Sequence, residues 1–232
     1  VILKKQTEIS LNKEDFRPQK ITMGQILKIG IPVALQDGFI QISFIIITII
    51  ANRRGLNDAA AVGIVEKIIG VVFLVPSTML STVSALGAQN IGANKHDRAS
   101  LTLRYAVMIA VGIGFIVSVI TQFIGTNLVS MFTNDAQVVV LGDQYLRSYI
   151  WDTMIAGVHF SFSGYFCAYG LSGISFLHNV LSIVFVRVPG AFLASKYFPH
   201  TLFYMGLAAP AGSLLSVIVC IIAFIWMKKR SK

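Results

Sequence analysis

Six stretches of this chain are long and apolar enough to cross a lipid bilayer, at roughly 25–52, 59–88, 99–125, 138–170, 174–197 and 202–227. A hydrocarbon core of about 30 Å takes about 20 residues of helix, and lipid offers no partner to an exposed peptide group. Each stretch is therefore expected to be a helix. Apolar residues make up 55% and charged residues 12% of the chain, so little is left to build a soluble domain. The expected fold class is all-α: a polytopic membrane protein with one six-helix transmembrane bundle at 25–228, a connector or tail at 1–24 and a short basic tail at 229–232.

The net charge of +9 belongs to the helix flanks rather than to a nucleic-acid surface, and no nucleic-acid partner is expected. Lys4, Lys5, Lys13, Arg17, Lys20, Lys28, Lys95, Arg98, Arg104, Lys228, Lys229, Arg230 and Lys232 fall on one side, against little more than Arg53, Arg54 and Lys196 on the other. An even number of spans brings the termini together, and the positive-inside rule puts both in the cytoplasm of a cell that carries this multi-pass protein in its inner or plasma membrane. The opening segment 6–20 is polar and lacks the apolar core of a signal peptide. It resembles a loop between two membrane halves, and with Val1 in place of Met this leads us to expect sequence upstream, unless numbering starts after a processed start. Residues 23–29 are expected as an amphipathic lead on the membrane surface.

Cys167 and Cys220 lie within spans, away from any metal-ligand spacing, so neither a disulfide framework nor a zinc site is expected. The connections are too short to hold a catalytic domain, and no nucleophile–base pair, HExxH or phosphate loop occurs. The chain does not read as an enzyme.

Pro32, Pro76, Pro189 and Pro210 interrupt four spans, either as static packing features or as bends. Small residues recur at helical spacing in Ala59/Gly63, Ser77/Ser81/Ser84 and Ala208/Gly212/Ser216, which is expected to bring helices close together.

Polar residues inside the spans are the candidate functional groups. At 100° per residue, Asp37, Gln41, Thr48 and Asn52 fall within about 60° of one another on an Ile-rich helix, so that face is expected to meet other helices or a hydrated cavity. Gln36, beside Asp37, joins the cavity candidates. The fourth span carries a similar stripe of Tyr145, Tyr149, Asp152, His159 and Ser163, with Ala156 leaving room among them, and is the best candidate for a cavity wall. A carboxylate among tyrosines can receive a cation, and a carboxylate near a His can carry protons. Asp37 and Asp152 are the cation-coupling candidates, with a Na+ ion conceivable at either. Glu66 and Arg187 lie at about equal depth, about 10 to 13 Å from the less basic side, and are expected to form a structural ion pair or a gate latch. Lys67 is expected to extend outward.

Several segments in order resemble a known family: Gly30-Ile31-Pro32, Ala61-Val62-Gly63-Ile64-Val65-Glu66-Lys67-Ile68, Phe73-Leu74-Val75-Pro76-Ser77, Ala88-Gln89-Asn90-Ile91-Gly92-Ala93, Tyr145-Leu146-Arg147-Ser148-Tyr149 and Val186-Arg187-Val188-Pro189. Together they resemble the carboxy-terminal half of bacterial multidrug and toxic compound extrusion (MATE) transporters of the NorM and DinF type. The resemblance implies secondary active multidrug efflux, exchanging Na+ or H+ for cationic, often aromatic drugs, with no cofactor beyond the coupling ion. It also implies twelve helices in two lobes, so the partners expected are the lipid bilayer, small-molecule drugs, and an amino-terminal six-helix lobe or a second copy of this chain. In NorM-type relatives the acids would fall near Ile40 and Ala156; Asp37 and Asp152 each lie about one turn away and match by helix and face only. In DinF-like relatives the essential acid is assigned to the other lobe. A lipid-linked oligosaccharide flippase of the same superfamily, and a non-transporting fragment or subunit, are the alternatives.

Overall fold

Three of the four intramembrane prolines divide their helices, and the divisions give the bundle its shape. The computed structural model describes residues 19–230. The chain runs through α1 (Lys20–Asn52), α2 (Leu56–Val72), α3 (Leu74–Gly92), α4 (His96–Ser130), α5 (Ala136–Tyr149), α6 (Asp152–Ala168) and α7 (Ser172–Ser182). A π-helical turn (Ile183–Arg187) leads into α8 (Val188–Tyr197), a single turn α9 (Phe203–Gly206) and α10 (Ala208–Arg230). Of the expected connector at 1–24 and basic tail at 229–232, residues 1–18 and 231–232 lie outside the described residues, and the rest is continuous with α1 and α10.

A proline removes its own N–H and crowds the carbonyl four residues before it. For Pro76 and Pro210 that carbonyl belongs to Val72 and Gly206, the last residues of α2 and α9. For Pro189 it belongs to Phe185, inside the π-helical turn. Pro32 leaves α1 unbroken; the hydroxyl of Ser172 donates at 3.2 Å to the carbonyl of Lys28, four residues before it.

Among the described residues, five helical segments are long and apolar enough to span a membrane: Lys20–Asn52, Leu56–Gly92, His96–Ser130, Ser172–Tyr197 and Phe203–Lys229. The fourth of the six expected spans is α5 plus α6, 14 and 17 residues long, separated by a turn at Ile150 and Trp151. Its polarity is tolerable because α6 is the core of the lobe, packed by α3, α4, α7 and α10. Most of α6 is buried, including Asp152, Thr153, His159, Ser161 and Ser163.

Close approach to α6 depends on glycine. A Cβ on Gly157 would come within 2.7 Å of the Ala110 Cβ, and one on Gly164 would collide with the main-chain oxygen of Leu80. The expected small-residue contacts hold only in part. A Cβ on Gly212 would come within 3.2 Å of the Arg187 Cβ, and Ser216 bonds to His178. A Cβ on Gly63 would meet no neighbouring element within 4 Å, and Ser77 and Ser81 are exposed, with the Ser81 hydroxyl donating back to the carbonyl of Ser77.

Several helices run past the expected span ends, as at Lys20, Gly92 and Ser130, because hydropathy marks the apolar core of a span and not the last hydrogen-bonded turn. The 23–29 lead is not a separate element; it forms the early turns of α1. The turns between helices are tightly tied. Asn94 and Gly170 take left-handed conformations (φ 57° and 72°), and Lys95 and Leu171 donate back to Asn90 and Phe166 at 2.8 Å, the pattern of a Schellman cap. At the opposite end Arg54 pairs with Asp58 at 3.0 Å and donates to the carbonyls of Phe198, Pro199 and Thr201, binding two loops together.

Candidate functional site: an open groove above a buried polar cluster

Asp37 and Gln41 lie one turn apart on α1, both exposed, and line an open groove of about 300 Å³ between α1 and the α2–α3 bend. Its floor is aromatic: Phe44 from α1, Phe73 from the bend and Phe160 from α6, with the Phe73 and Phe160 rings edge-to-face at 6.3 Å. Gln36 does not join them. One residue along a helix turns the side chain by about 100°, and Gln36 is buried toward α7, where its Oε1 accepts from Ser175 at 2.6 Å.

The stripe of the fourth span turns inward. Tyr145, Tyr149, Asp152, Ala156, His159 and Ser163 are all buried in the lobe. This corrects the expectation that the stripe forms the wall of an open cavity; what it lines is a compact polar core beneath the Phe44 and Phe160 floor.

That core is built around Arg187, at the end of the π-helical turn. Its guanidinium donates to the Tyr149 hydroxyl and lies 4.7 Å from the centre of the Phe44 ring. Tyr149 in turn packs edge-to-face on Tyr145 at 5.6 Å. The expected ion pair of Arg187 with Glu66 is absent: no contact within 4.0 Å joins them among the described residues. Glu66 is engaged from α1 instead, where the Thr48 hydroxyl lies 3.1 Å from its carboxylate and 3.0 Å from the carbonyl of Phe44. Equal depth placed the two charges at one level, but the Phe44 ring covers the guanidinium. Lys67 is exposed, as expected.

Asp152 is fully buried, and no ion pair within 4.0 Å reaches its carboxylate among the described residues. It faces Arg187 and Ser213, and it begins α6 immediately after the turn, where the unpaired N–H groups of a helix start favour negative charge. One face further along, the His159 ring lies 5.0 Å from Phe160 and 5.6 Å from His178, and its Nδ1 has no partner. His178 is fully engaged: Nε2 lies 2.9 Å from Ser163 Oγ and Nδ1 3.2 Å from Ser216 Oγ. Ser216 already donates to the carbonyl of His178 at 3.2 Å, so its oxygen is free to accept from Nδ1–H, while the Ser163 hydroxyl can donate to Nε2 or accept from Nε2–H.

Reading the sequence alone missed His178, Asn179, Ser213 and the aromatic floor. The dipeptide His178-Asn179 inside a span and the Ser213/Ser216 spacing beside Gly212 were the signals available. Phe44, Phe73 and Phe160 carry none, since a Phe in a membrane helix is ordinary.

A family model described as MatE matches residues 32–193. A probable multidrug resistance protein, YoeA of Bacillus subtilis, is 24% identical over 207 residues, covering 88% of this chain and 45% of that protein. The multidrug export protein MepA of Staphylococcus aureus is 27% identical over 169 residues, covering 72% of this chain and 37% of its own length. Among solved structures, an outward-facing multidrug resistance MATE family transporter of the MOP superfamily superposes with a TM-score of 0.86 at 18% identity, covering 99% of this chain and 51% of that one. The chain thus spans about half the length, or less, of the proteins it matches. Fold and matches together define a multi-pass helical membrane protein built as one lobe of a transporter. The chain belongs to the MatE family, the multidrug and toxic compound extrusion transporters.

Proposed function

We propose that this chain is one six-helix half of a twelve-helix secondary exporter that exchanges H+ or Na+ for cationic, aromatic drugs, completed by an amino-terminal six-helix lobe or by a second copy. The observation that carries this reading is the contrast between two acids of the lobe. Asp37 opens onto the groove, while Asp152 is fully buried, facing Arg187 and Ser213.

A flat cationic drug suits the groove, with its rings on Phe44, Phe73 and Phe160 and its charge toward Asp37. The groove lining contains no Lys or Arg, which disfavours the phosphate-bearing substrate of a flippase. For Asp152 the fitting ion is H+. A proton neutralises the carboxylate where it stands, whereas Na+ would enter beside the fixed charge of Arg187 and needs several oxygen ligands. Na+, where used, falls to Asp37. Protonation at Asp152 changes the charge balance around Arg187, whose backbone belongs to the π-helical turn, and so gives the coupling ion a lever on a bend. The basic end faces the cytoplasm, by the positive-inside rule.

The test is ethidium efflux from cells expressing this chain with and without a candidate amino-terminal half. Efflux is expected from the pair of lobes or from a dimer of this chain, and efflux from the lone monomeric chain would contradict the half-transporter reading.

A further inference from the structure

At the basic end, α4 and α10 both pack on α6 and leave a cleft open between them. Its polar mouth, about 190 Å³, is lined by His96, Asp97 and Ser100 of α4, Tyr165 and Tyr169 of α6 and Lys228 of α10. A ladder of hydroxyls backs it: Ser100 Oγ lies 3.3 Å from Tyr165 OH, Tyr165 OH 3.4 Å from Tyr169 OH, and Tyr169 OH 3.1 Å from His96 Nδ1. Ser100 and Phe224 belong to this mouth and also to an apolar groove of about 370 Å³ that continues along Leu103, Val107 and Met108 over Phe162. From Ser100 to Met108 the groove descends about 12 Å along α4. Lys229 flanks the mouth and Arg104 the groove.

Three cations against one carboxylate, set at the polar end of an apolar slot that faces the bilayer, match one kind of molecule. We propose that this cleft binds a single phospholipid with a net negative headgroup, of the phosphatidylglycerol kind. The phosphate lies among Lys228, Lys229 and Arg104, headgroup hydroxyls donate to Asp97 or meet the tyrosine ladder, and one acyl chain fills the groove past Val107. The cleft is separate from the drug groove, because α6 stands between them: Phe160 faces one side and Phe162 the other.

The experiment is native mass spectrometry of the full chain in mild detergent, titrated with phosphatidylglycerol, phosphatidylcholine or inorganic phosphate. Phosphatidylglycerol is expected to bind in one tight step, about tenfold or more ahead of phosphatidylcholine, and millimolar phosphate should not displace it. Joint Arg104→Gln and Lys228→Gln substitution should erase that preference, whereas Arg104→Lys with Lys228→Arg should keep it, which separates lost charge from lost folding. Val107→Trp should weaken both lipids by filling the groove, and Lys196→Gln at the far end should change neither. Equal binding of the two lipids, displacement by phosphate, a preference that survives the double Gln variant, or indifference to Val107→Trp would each overturn the proposal.

Discussion

The hydroxyl of Ser172 donates to the main-chain carbonyl of Lys28 at 3.2 Å, across from α7 to α1. Pro32 denies that carbonyl its helical donor, and in hydrocarbon a lone carbonyl is expensive. The two helices are thus joined through a defect in one of them. Ser172→Ala should lower stability by about 1 kcal/mol, read as thermal unfolding in detergent. In a Pro32→Ala background, where the helix supplies its own donor, the same change should cost close to nothing. Equal costs in both backgrounds would mean that the bond does not serve the proline.

Two glycine-to-alanine substitutions should have opposite signs. A methyl at Gly164 meets the Leu80 carbonyl and lies 3.0 Å from the Val83 Cβ, so Gly164→Ala should destabilise by about 1–3 kcal/mol by pushing α3 from α6. Gly63 has open space around its Cβ position, and Gly63→Ala should be neutral or stabilising by up to about 1 kcal/mol through helix propensity. Unfolding temperatures of the two proteins decide the matter.

Arg54 holds three loop carbonyls and Asp58 at once. Arg54→Ala should cost about 1.5–3 kcal/mol, in keeping with charge-assisted bonds, and should expose the 198–202 loop to protease. Cleavage no faster than in the parent would show that the loop is held by other means.

Around Arg187, single and double substitutions should not add. Arg187→Met leaves Asp152 without its nearby cation and strips the Tyr149 hydroxyl of a donor. Combining it with Asp152→Asn removes the stranded charge, so the double variant should be more stable than the sum of the singles predicts, by about 1 kcal/mol or more. Strict additivity would show that the two charges do not interact.

What hydropathy and proline could reveal from sequence was the six-span bundle and the prolines that bend it, because both act locally. The breaks at Phe73, Ile150 and Leu207 lie up to several residues from their apparent cause, and Ile150 has no proline at all. For the site, helical periodicity put Asp37 beside Gln41, and the two line one groove; Asp152 and His159 are both buried but meet different partners. It could not tell an inward face from one facing a groove, since a buried network and a cavity wall both need polar side chains. Glu66 and Arg187 illustrate the same limit: depth is readable from rise per residue, but the partner depends on which ring or hydroxyl comes between. Thr48 and Tyr149 took those places.

The division of labour between an open acid and a sealed one is tested most directly by drug-driven proton movement in proteoliposomes containing the complete two-lobe transporter. The parent should move protons when a cationic drug is added to one side. Asp152→Asn should still bind the drug at close to parental affinity, because Asp37 and the aromatic floor are intact, yet move no protons in response. Proton movement in Asp152→Asn equal to that of the parent would contradict the account.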